Sequence, residues 1–180
     1  MFRSFKSALP VLSGLAALAA ASPSLASDVG DVAREMKLPA AVVESTFANV
    51  DAFFASAGGP ANRLASGTVK ELALKAIRHR FGNLEDSAPG KASESSAEEK
   101  HAVYKAVVRT TRHETTETRE CVDNKVTVSG SEGVPAIKDG SFVFDTAHPR
   151  LSSHSWDLTF CRTPAGGGGY SDWTPAAPGR

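Results

Sequence analysis

Three short segments between the only two cysteines of the chain show the alternation of a β-sheet. Residues 121–161 read CVDNKVTVSGSEGVPAIKDGSFVFDTAHPRLSSHSWDLTFC. Apolar side chains occupy every second position in these segments, as in strands with one buried face. The segments are 125–129, with Val126 and Val128, 141–145, with Phe142 and Phe144, and 156–160, with Trp156, Leu158 and Phe160. Asp123-Asn124 and Asp139-Gly140 are turn signals, so the stretch predicts a small antiparallel sheet.

The two cysteines, Cys121 and Cys161, are predicted to form a structural disulfide. In an oxidising compartment this is the expected state of a lone pair of cysteines. A cross-link between positions 40 apart stabilises a fold by about 4 kcal/mol in the loop-closure description. Neither cysteine belongs to a Cys-x-x-Cys pair, so a redox or nucleophilic role is the weaker alternative.

Residues 109–120, immediately before Cys121, are dense in threonine and charge and contain no glycine or proline. This composition favours a long strand that is polar on both faces. Such a strand is either a solvated edge, which its charges protect from aggregation, or a surface that meets a partner. The candidate interaction surface consists of Arg109, Arg112, His113, Glu114, Glu117 and Arg119.

The segment His113–Glu117 superficially resembles the zinc-binding helix motif of metalloproteases. That motif needs histidine at both ends, and here Glu117 stands at the second position. On a strand, His113 and Glu117 would lie about 13 Å apart, too far to chelate one ion. No nucleophile elbow or phosphate-binding loop is present in the sequence. We therefore predict no catalytic residue, metal or cofactor, and a protein that is not an enzyme.

The region 27–83 has the patterns of α-helices. Val43, Phe47, Val50 and Phe54 form one apolar stripe, and Pro39 suits the first turn of that helix. A capping-box pattern begins at Thr68, and a second helix is predicted to run to Phe81 and end at Gly82-Asn83. A short helical segment is expected over 28–36.

Two segments have the composition of linkers. Residues 84–99 are rich in serine, alanine and glutamate, which predicts a polar linker. Residues 164–180 are rich in glycine and proline, which predicts a flexible tail that Trp173 could dock. Between them, 100–163 is the predicted disulfide-bridged antiparallel sheet. The expected fold class is α+β, with N-terminal helices followed by a small sheet. Mutual packing is the simpler arrangement, because both parts have apolar faces that need cover.

Residues 1–26 have the pattern of a cleaved export signal. Arg3 and Lys6 precede an apolar run over 8–21, and Ser24 and Ala26 fit the small-x-small cleavage rule. The alternative, a membrane anchor, needs about 20 apolar residues, and this run has about 14. Cleavage leaves 18 basic and 20 acidic residues, a balance that gives no footprint for nucleic acid. A hydrophobic content of 41% and a charged content of 22% are those of a globular domain.

The segment 107–173 resembles the C-terminal domain of bacterial outer-membrane surface antigens of the rickettsial type. The matching residues are Arg119-Glu120-Cys121, Val126-Thr127-Val128, Cys161-Arg162-Thr163-Pro164 and Trp173. The chain lacks the glycine zipper and the lipidated cysteine common in that family, and residues near 145–155 are an unmatched insert. The resemblance implies an envelope-associated, non-enzymatic module with a disulfide-linked sheet, and it transfers no catalytic residue.

These patterns together predict an exported binding or accessory protein of the bacterial envelope, located in the periplasm or at the outer surface. Its expected partner is a protein of the envelope; neither nucleic acid nor, after signal cleavage, a transmembrane span is expected. Two alternatives remain open. One is an exported inhibitor or immunity protein against a wall-active or toxic enzyme, and the other is a hydrolase or metal enzyme with an unrecognised site.

Overall fold

The computed structural model describes residues 24–176. The predicted export signal, 1–26, lies outside this range except for its last three residues. No described helix combines the length and the apolar character that crossing a membrane requires.

Three helices form the first part of the described chain: α1 (Ser24–Met36), α2 (Ala40–Ala55) and α3 (Ser66–Phe81). Pro39, predicted at the first helical position, is instead the N-cap of α2, and its carbonyl accepts the first hydrogen bonds of the helix. The 3₁₀ turn Arg63–Ala65 leads directly into α3, so α3 begins two residues before Thr68. The predicted capping box does not form, because Thr68 lies inside the first turn of α3, whose N-cap is Ala65. The hydroxyl of Thr68 donates to Glu99.

The remaining described chain is almost entirely β-structure. The strands are β1 (Ala92–Glu99), β2 (Ala102–Thr115), β3 (Glu120–Lys138), β4 (Ser141–Arg162), β5 (Pro164–Ala165), β6 (Gly169–Tyr170) and β7 (Thr174–Pro175). The main sheet is antiparallel and has the order β1-β2-β3-β4-β7, while β5 and β6 form a separate small ribbon. The α+β class, with one disulfide, is thus confirmed.

The helices cover one face of the main sheet and share a single core with it. Alternate residues of β2, β3 and β4 point into this core, among them Tyr104, Val126 and Phe160. Gly130 lies directly opposite Tyr104 on β3, and a Cβ atom there would come within 3.1 Å of the tyrosine ring. The absence of that atom makes room for the largest fully buried side chain of the core. Mutual packing of helices and sheet, the simpler arrangement, is what the structure shows.

Part of the predicted linker, 84–99, differs from the expectation, because residues 92–99 form β1. This strand has few apolar residues and is held by its ladder to β2, from Ala92–Arg109 to Glu99–Ala102. As a result β1 is an edge strand, and β2 lies inside the sheet. The segment 109–120 is not one strand, because β2 ends at Thr115 and β3 begins at Glu120.

Two turn predictions have different outcomes. Asp123-Asn124 is not a turn, since both residues lie within β3 and pair with β2 and β4. Asp139-Gly140 is the predicted turn, with φ of +51° and +74°. Positive φ at both central residues is the geometry that a two-residue hairpin requires.

The hairpin of β3 and β4 extends beyond the rest of the sheet. The last residue of β3 that pairs with β2 is Glu132, while β3 and β4 continue to pair from Val134–Asp145 to the turn. We call residues 134–145 the arm. Its five residue pairs give it a length of about 17 Å.

Candidate functional site

The disulfide joins Cys121 and Cys161, as predicted. The two residues lie directly opposite each other on β3 and β4, with their Cα atoms 4.2 Å apart. Their neighbours Val122 and Phe160 are buried in the core. Because side chains alternate along a strand, the disulfide lies on the sheet face that the helices do not cover.

A β-bulge at Thr111 determines which charged residues join the disulfide on this outer face. Thr110 pairs with Asn124, and the next pair is Arg112 with Asp123, so Thr111 is an extra residue on β2. The side chains of Thr110 and Asn124 are buried and hydrogen-bonded to each other, 3.0 Å apart. After the bulge, Arg112 and Glu114 point outward and His113 points inward.

The outward residues and the disulfide form a groove of about 540 Å³. We call it the disulfide groove; it is lined by Arg112, Glu114, Arg119, Cys121, Asp123, Thr159, Cys161 and Ala176. Arg112 forms an ion pair with Glu114, 2.7 Å long, and the hydroxyl of Thr159 donates to Asp123 over 2.7 Å. The guanidinium of Arg119 makes no ion pair with any residue of 24–176.

His113, which points inward, connects three parts of the chain. Its Nδ1 lies 2.8 Å from the carbonyl oxygen of Ser87, and its Nε2 lies 2.7 Å from Oε1 of Glu120. Both ring nitrogens face oxygen acceptors, an arrangement that is fully satisfied when both carry a proton. The other carboxylate oxygen of Glu120 accepts from Nε of Arg162 over 2.7 Å. Arg162 in turn donates to Glu85 over 2.8 Å.

The carboxyl group of Glu120 is buried, with only 8% of its side chain exposed. Burial by itself raises the pKa of a carboxyl group. Hydrogen bonds and charge from Arg162 and His113 outweigh that effect and hold the pKa of Glu120 below its usual value. The ion pair between Glu120 and Arg162 therefore holds the start of β3 against the end of β4, directly beneath the groove.

The C-terminal segment forms one wall of the groove. The guanidinium of Arg162 packs against two aromatic rings, 4.3 Å from the centroid of Tyr170 and 4.5 Å from that of Trp173. Beyond them, the amide of Ala176 donates to the carbonyl of Thr159 over 2.8 Å. Residues 164–176 of the predicted flexible tail thus contain three short strands docked by Arg162, whereas 177–180 lie outside the described residues.

The six residues of the predicted interaction surface lie in four different places. Arg112, Glu114 and Arg119 line the groove, and His113 belongs to the inward network. Arg109 lies outside the groove lining, and its guanidinium donates to the carbonyl of Gly90 over 3.3 Å. Glu117 lies in the exposed loop between β2 and β3.

Several residues of the site were not identified from the sequence. Asp123 and Thr159 enter the groove through strand pairing. Glu85 and Tyr170 contact Arg162 from segments predicted to be a linker and a tail. Only Trp173 carried a usable signal, as a large aromatic residue in a glycine-rich segment. Within residues 24–176 no group of three or more His, Cys, Asp or Glu side chains is arranged to hold a metal ion.

The groove has the features of a recognition surface. An unpaired arginine can bind a carboxylate through two parallel hydrogen bonds, and Glu114 and Asp123 offer acceptors for a basic side chain. The disulfide and Ala176 add an apolar contact between the charges. No family, curated protein or solved structure matches this chain, so the resemblance to rickettsial-type surface antigens remains a prediction and the groove itself is the basis for any functional conclusion.

Proposed function

We propose that this chain is an exported, non-enzymatic binding protein of the bacterial envelope, and that it binds a protein partner through the disulfide groove. The observation that carries the proposal is the convergence of three predicted surface residues, Arg112, Glu114 and Arg119, around the disulfide. The N-terminal sequence pattern supports export. The disulfide supports it too, because disulfides persist in oxidising compartments.

The chemistry of the groove defines the segment that it would bind. Arg119 is positioned to receive a carboxylate, while Glu114 and Asp123 attract a basic group. An extended peptide segment that carries an acidic and a basic residue on one side satisfies both requirements. The groove is preorganised by the disulfide, the bulge and the docked C-terminal wall, which lowers the entropy cost of binding.

Charge reversal within the groove tests the proposal. The tagged mature protein is used to capture partners from native envelope fractions, and bound proteins are identified by mass spectrometry. We expect Arg119→Glu to reduce recovery of a specific partner at least tenfold, because a like charge then faces the carboxylate of the partner. The matched control is Arg109→Glu, which makes the same change on β2 outside the groove and should retain binding.

The outcomes separate the possible functions. Equal recovery with Arg119→Glu and the wild type would contradict groove binding. Loss of the partner in a Cys121→Ser/Cys161→Ser variant would show that binding depends on the disulfide. One-to-one capture of a single wall-active or toxic enzyme, with loss of that enzyme's activity, would instead identify an inhibitor.

Export is tested separately by the mass of the protein. Expression of the full chain in a bacterial host should give a periplasmic product that begins at Ser27, the position predicted from Ser24 and Ala26. Intact mass spectrometry distinguishes this product from the uncleaved chain. It also shows the two-dalton loss that disulfide formation causes. A product that retains residues 1–26 would contradict signal cleavage.

A further inference from the structure

The arm has an apolar face that the rest of the described chain leaves largely exposed. The register pairs Ile137 with Phe142 near the turn and Pro135 with Phe144 near the base. Opposed residues of an antiparallel pair, and residues two apart on one strand, share a face. Pro135, Ile137, Phe142 and Phe144 therefore form one apolar face. Ile137 and Phe142 are 80% and 67% exposed.

A pocket adjoins the same face at the base of the arm. It has a volume of about 260 Å³, and Pro135 and Phe144 belong to its lining. Ala61 and Ala102 add further apolar surface. The polar and charged residues of the lining are Asn62, Glu99, Lys100, His101 and Glu132, and the ring of His101 stacks on that of Phe144 with 4.2 Å between the centroids. We call it the base pocket. The arm thus has a protruding apolar pair, Ile137 and Phe142, and a partly apolar recess two residue pairs closer to the sheet.

The backbone of the arm restricts what can cover this face. Within residues 24–176, no third strand pairs with 134–138 or 141–145, so both edges of the arm have free N–H and C=O groups. Lipid cannot satisfy such groups, which argues against insertion of the arm into a bilayer. A protein partner is compatible with these edges, because their N–H and C=O groups either stay hydrated or pair with a strand of the partner.

We infer that the partner of the arm is a second copy of this chain. In the arrangement that we propose, two arms pack antiparallel with their apolar faces together, related by a two-fold axis. Ile137 and Phe142 of each copy then lie against the base pocket of the other copy. A projection and a recess on one face are self-complementary, as an isologous interface requires.

The charges at the two ends of the arm are complementary in the same arrangement. The turn end carries Lys138 and Asp139, and the lining of the base pocket includes Glu99 and Lys100. None of the residues Lys138, Asp139 and Lys100 forms an ion pair with another residue of 24–176. Antiparallel packing brings the turn of one copy to the base pocket of the other, where Lys138 can meet Glu99 and Asp139 can meet Lys100.

The size of the arm predicts a weak, concentration-dependent dimer. Each face is about 17 Å long and only two strands wide, about 10 Å, so the two faces together bury on the order of several hundred Å². Stable complexes bury about 1,600 Å², so we expect association in the micromolar range. The disulfide groove lies at the opposite end of the β3–β4 hairpin, so this association does not depend on the proposed function.

Sedimentation velocity of the mature, oxidised protein from about 1 to 500 µM tests the inference. We expect a shift from monomer to dimer, and we expect Phe142→Ser to weaken the association at least tenfold. The matched control is Leu151→Ser, which removes an equally exposed apolar side chain, 73% exposed, outside the arm. Leu151→Ser should change the association less than twofold.

A mixing experiment tests the reciprocal contact. Ala61→Trp narrows the base pocket without changing the arm, and by itself should also weaken the dimer at least tenfold. A mixed dimer of the Phe142→Ser and Ala61→Trp chains keeps one intact contact, whereas each variant alone keeps none. The mixture should therefore associate more strongly than either variant.

Three results would overturn the inference. The first is a monomer over the whole concentration range, which would assign the arm to a different partner. The second is a dimer that Phe142→Ser does not weaken. The third is a mixture of the two variants that associates no better than its components. Circular dichroism of each variant checks whether its fold is intact.

Discussion

Replacing Glu120 by glutamine removes the charge at the centre of the buried ion network while keeping its shape. Glu120 accepts one hydrogen bond from Arg162 and one from His113, and hydrogen bonds to charged groups contribute about 1.5–3 kcal/mol each. The amide oxygen of glutamine retains one of them. Arg162 also keeps Glu85, although 74% of that side chain is exposed and the remaining pair is worth little. We expect Glu120→Gln to lower the free energy of unfolding by about 2–4 kcal/mol near pH 7.

The lowered pKa of Glu120 determines the pH range in which the substitution destabilises the protein most. The pKa of Glu120 is lowered in the folded protein, and the unfolded value is about 4.3. Its stabilising contribution is therefore complete above the unfolded pKa and is lost as the pH falls through the folded pKa. Urea unfolding of the wild type and of Glu120→Gln should give curves that differ most near neutral pH. The difference should shrink progressively below about pH 4.

The control is Glu117→Gln, which makes the same change in the exposed loop three residues earlier. It should alter stability by less than about 0.5 kcal/mol. The reasoning is refuted if Glu120→Gln unfolds like the wild type at pH 7. It is also refuted if the difference between the two proteins stays constant as the pH falls, because the charge of Glu120 would then not be its source.

Three further substitutions test other contacts. Tyr104→Phe should lower the free energy of unfolding by about 1–3 kcal/mol, because the buried carboxylate of Glu132 loses the hydroxyl donor that lies 2.5 Å away. An unchanged midpoint of urea unfolding would contradict this. Cys121→Ser/Cys161→Ser should lower the free energy of unfolding by about 4 kcal/mol and the thermal midpoint by roughly 8–16 °C. A reductant should cause the same shift in the wild type and no further shift in the variant. Trp173→Ala should speed limited proteolysis within 164–176 several-fold because Arg162 loses one of its stacked rings, and equal cleavage rates would show that the ring does not hold the segment.

Features set by neighbouring residues were predictable from the sequence. The stripe from Val43 to Phe54 and the end of α3 near Gly82 depend on side chains a few positions apart. The turn at Asp139-Gly140 needs only residues that accept positive φ. The disulfide followed from having two cysteines and an expected oxidising compartment.

Features set by distant pairing were not predictable. β1 has the composition of a linker, and it is a strand because its backbone pairs with β2. The hydroxyl of Ser93 also forms a hydrogen bond with Nδ1 of His79 on α3. The bulge at Thr111 lies in a uniform threonine-rich run, so nothing local indicated where the alternation would change. Because the position of the bulge was not predictable, the orientation of the side chains after it was not predictable either. Arg112 and Glu114 face the disulfide, whereas His113 faces the core.

The position of the disulfide at the open end of the β3–β4 hairpin has a consequence for the integrity of the chain. The turn at Asp139-Gly140 is its most remote point, and Cys121 and Cys161 lie on either side of it. A protease that cuts the arm there produces two polypeptides that stay covalently joined. Each also keeps its half of the ladder from Glu120–Arg162 to Glu132–Arg150. A cleaved, two-chain form would thus retain both the groove and the core until a reductant broke the disulfide.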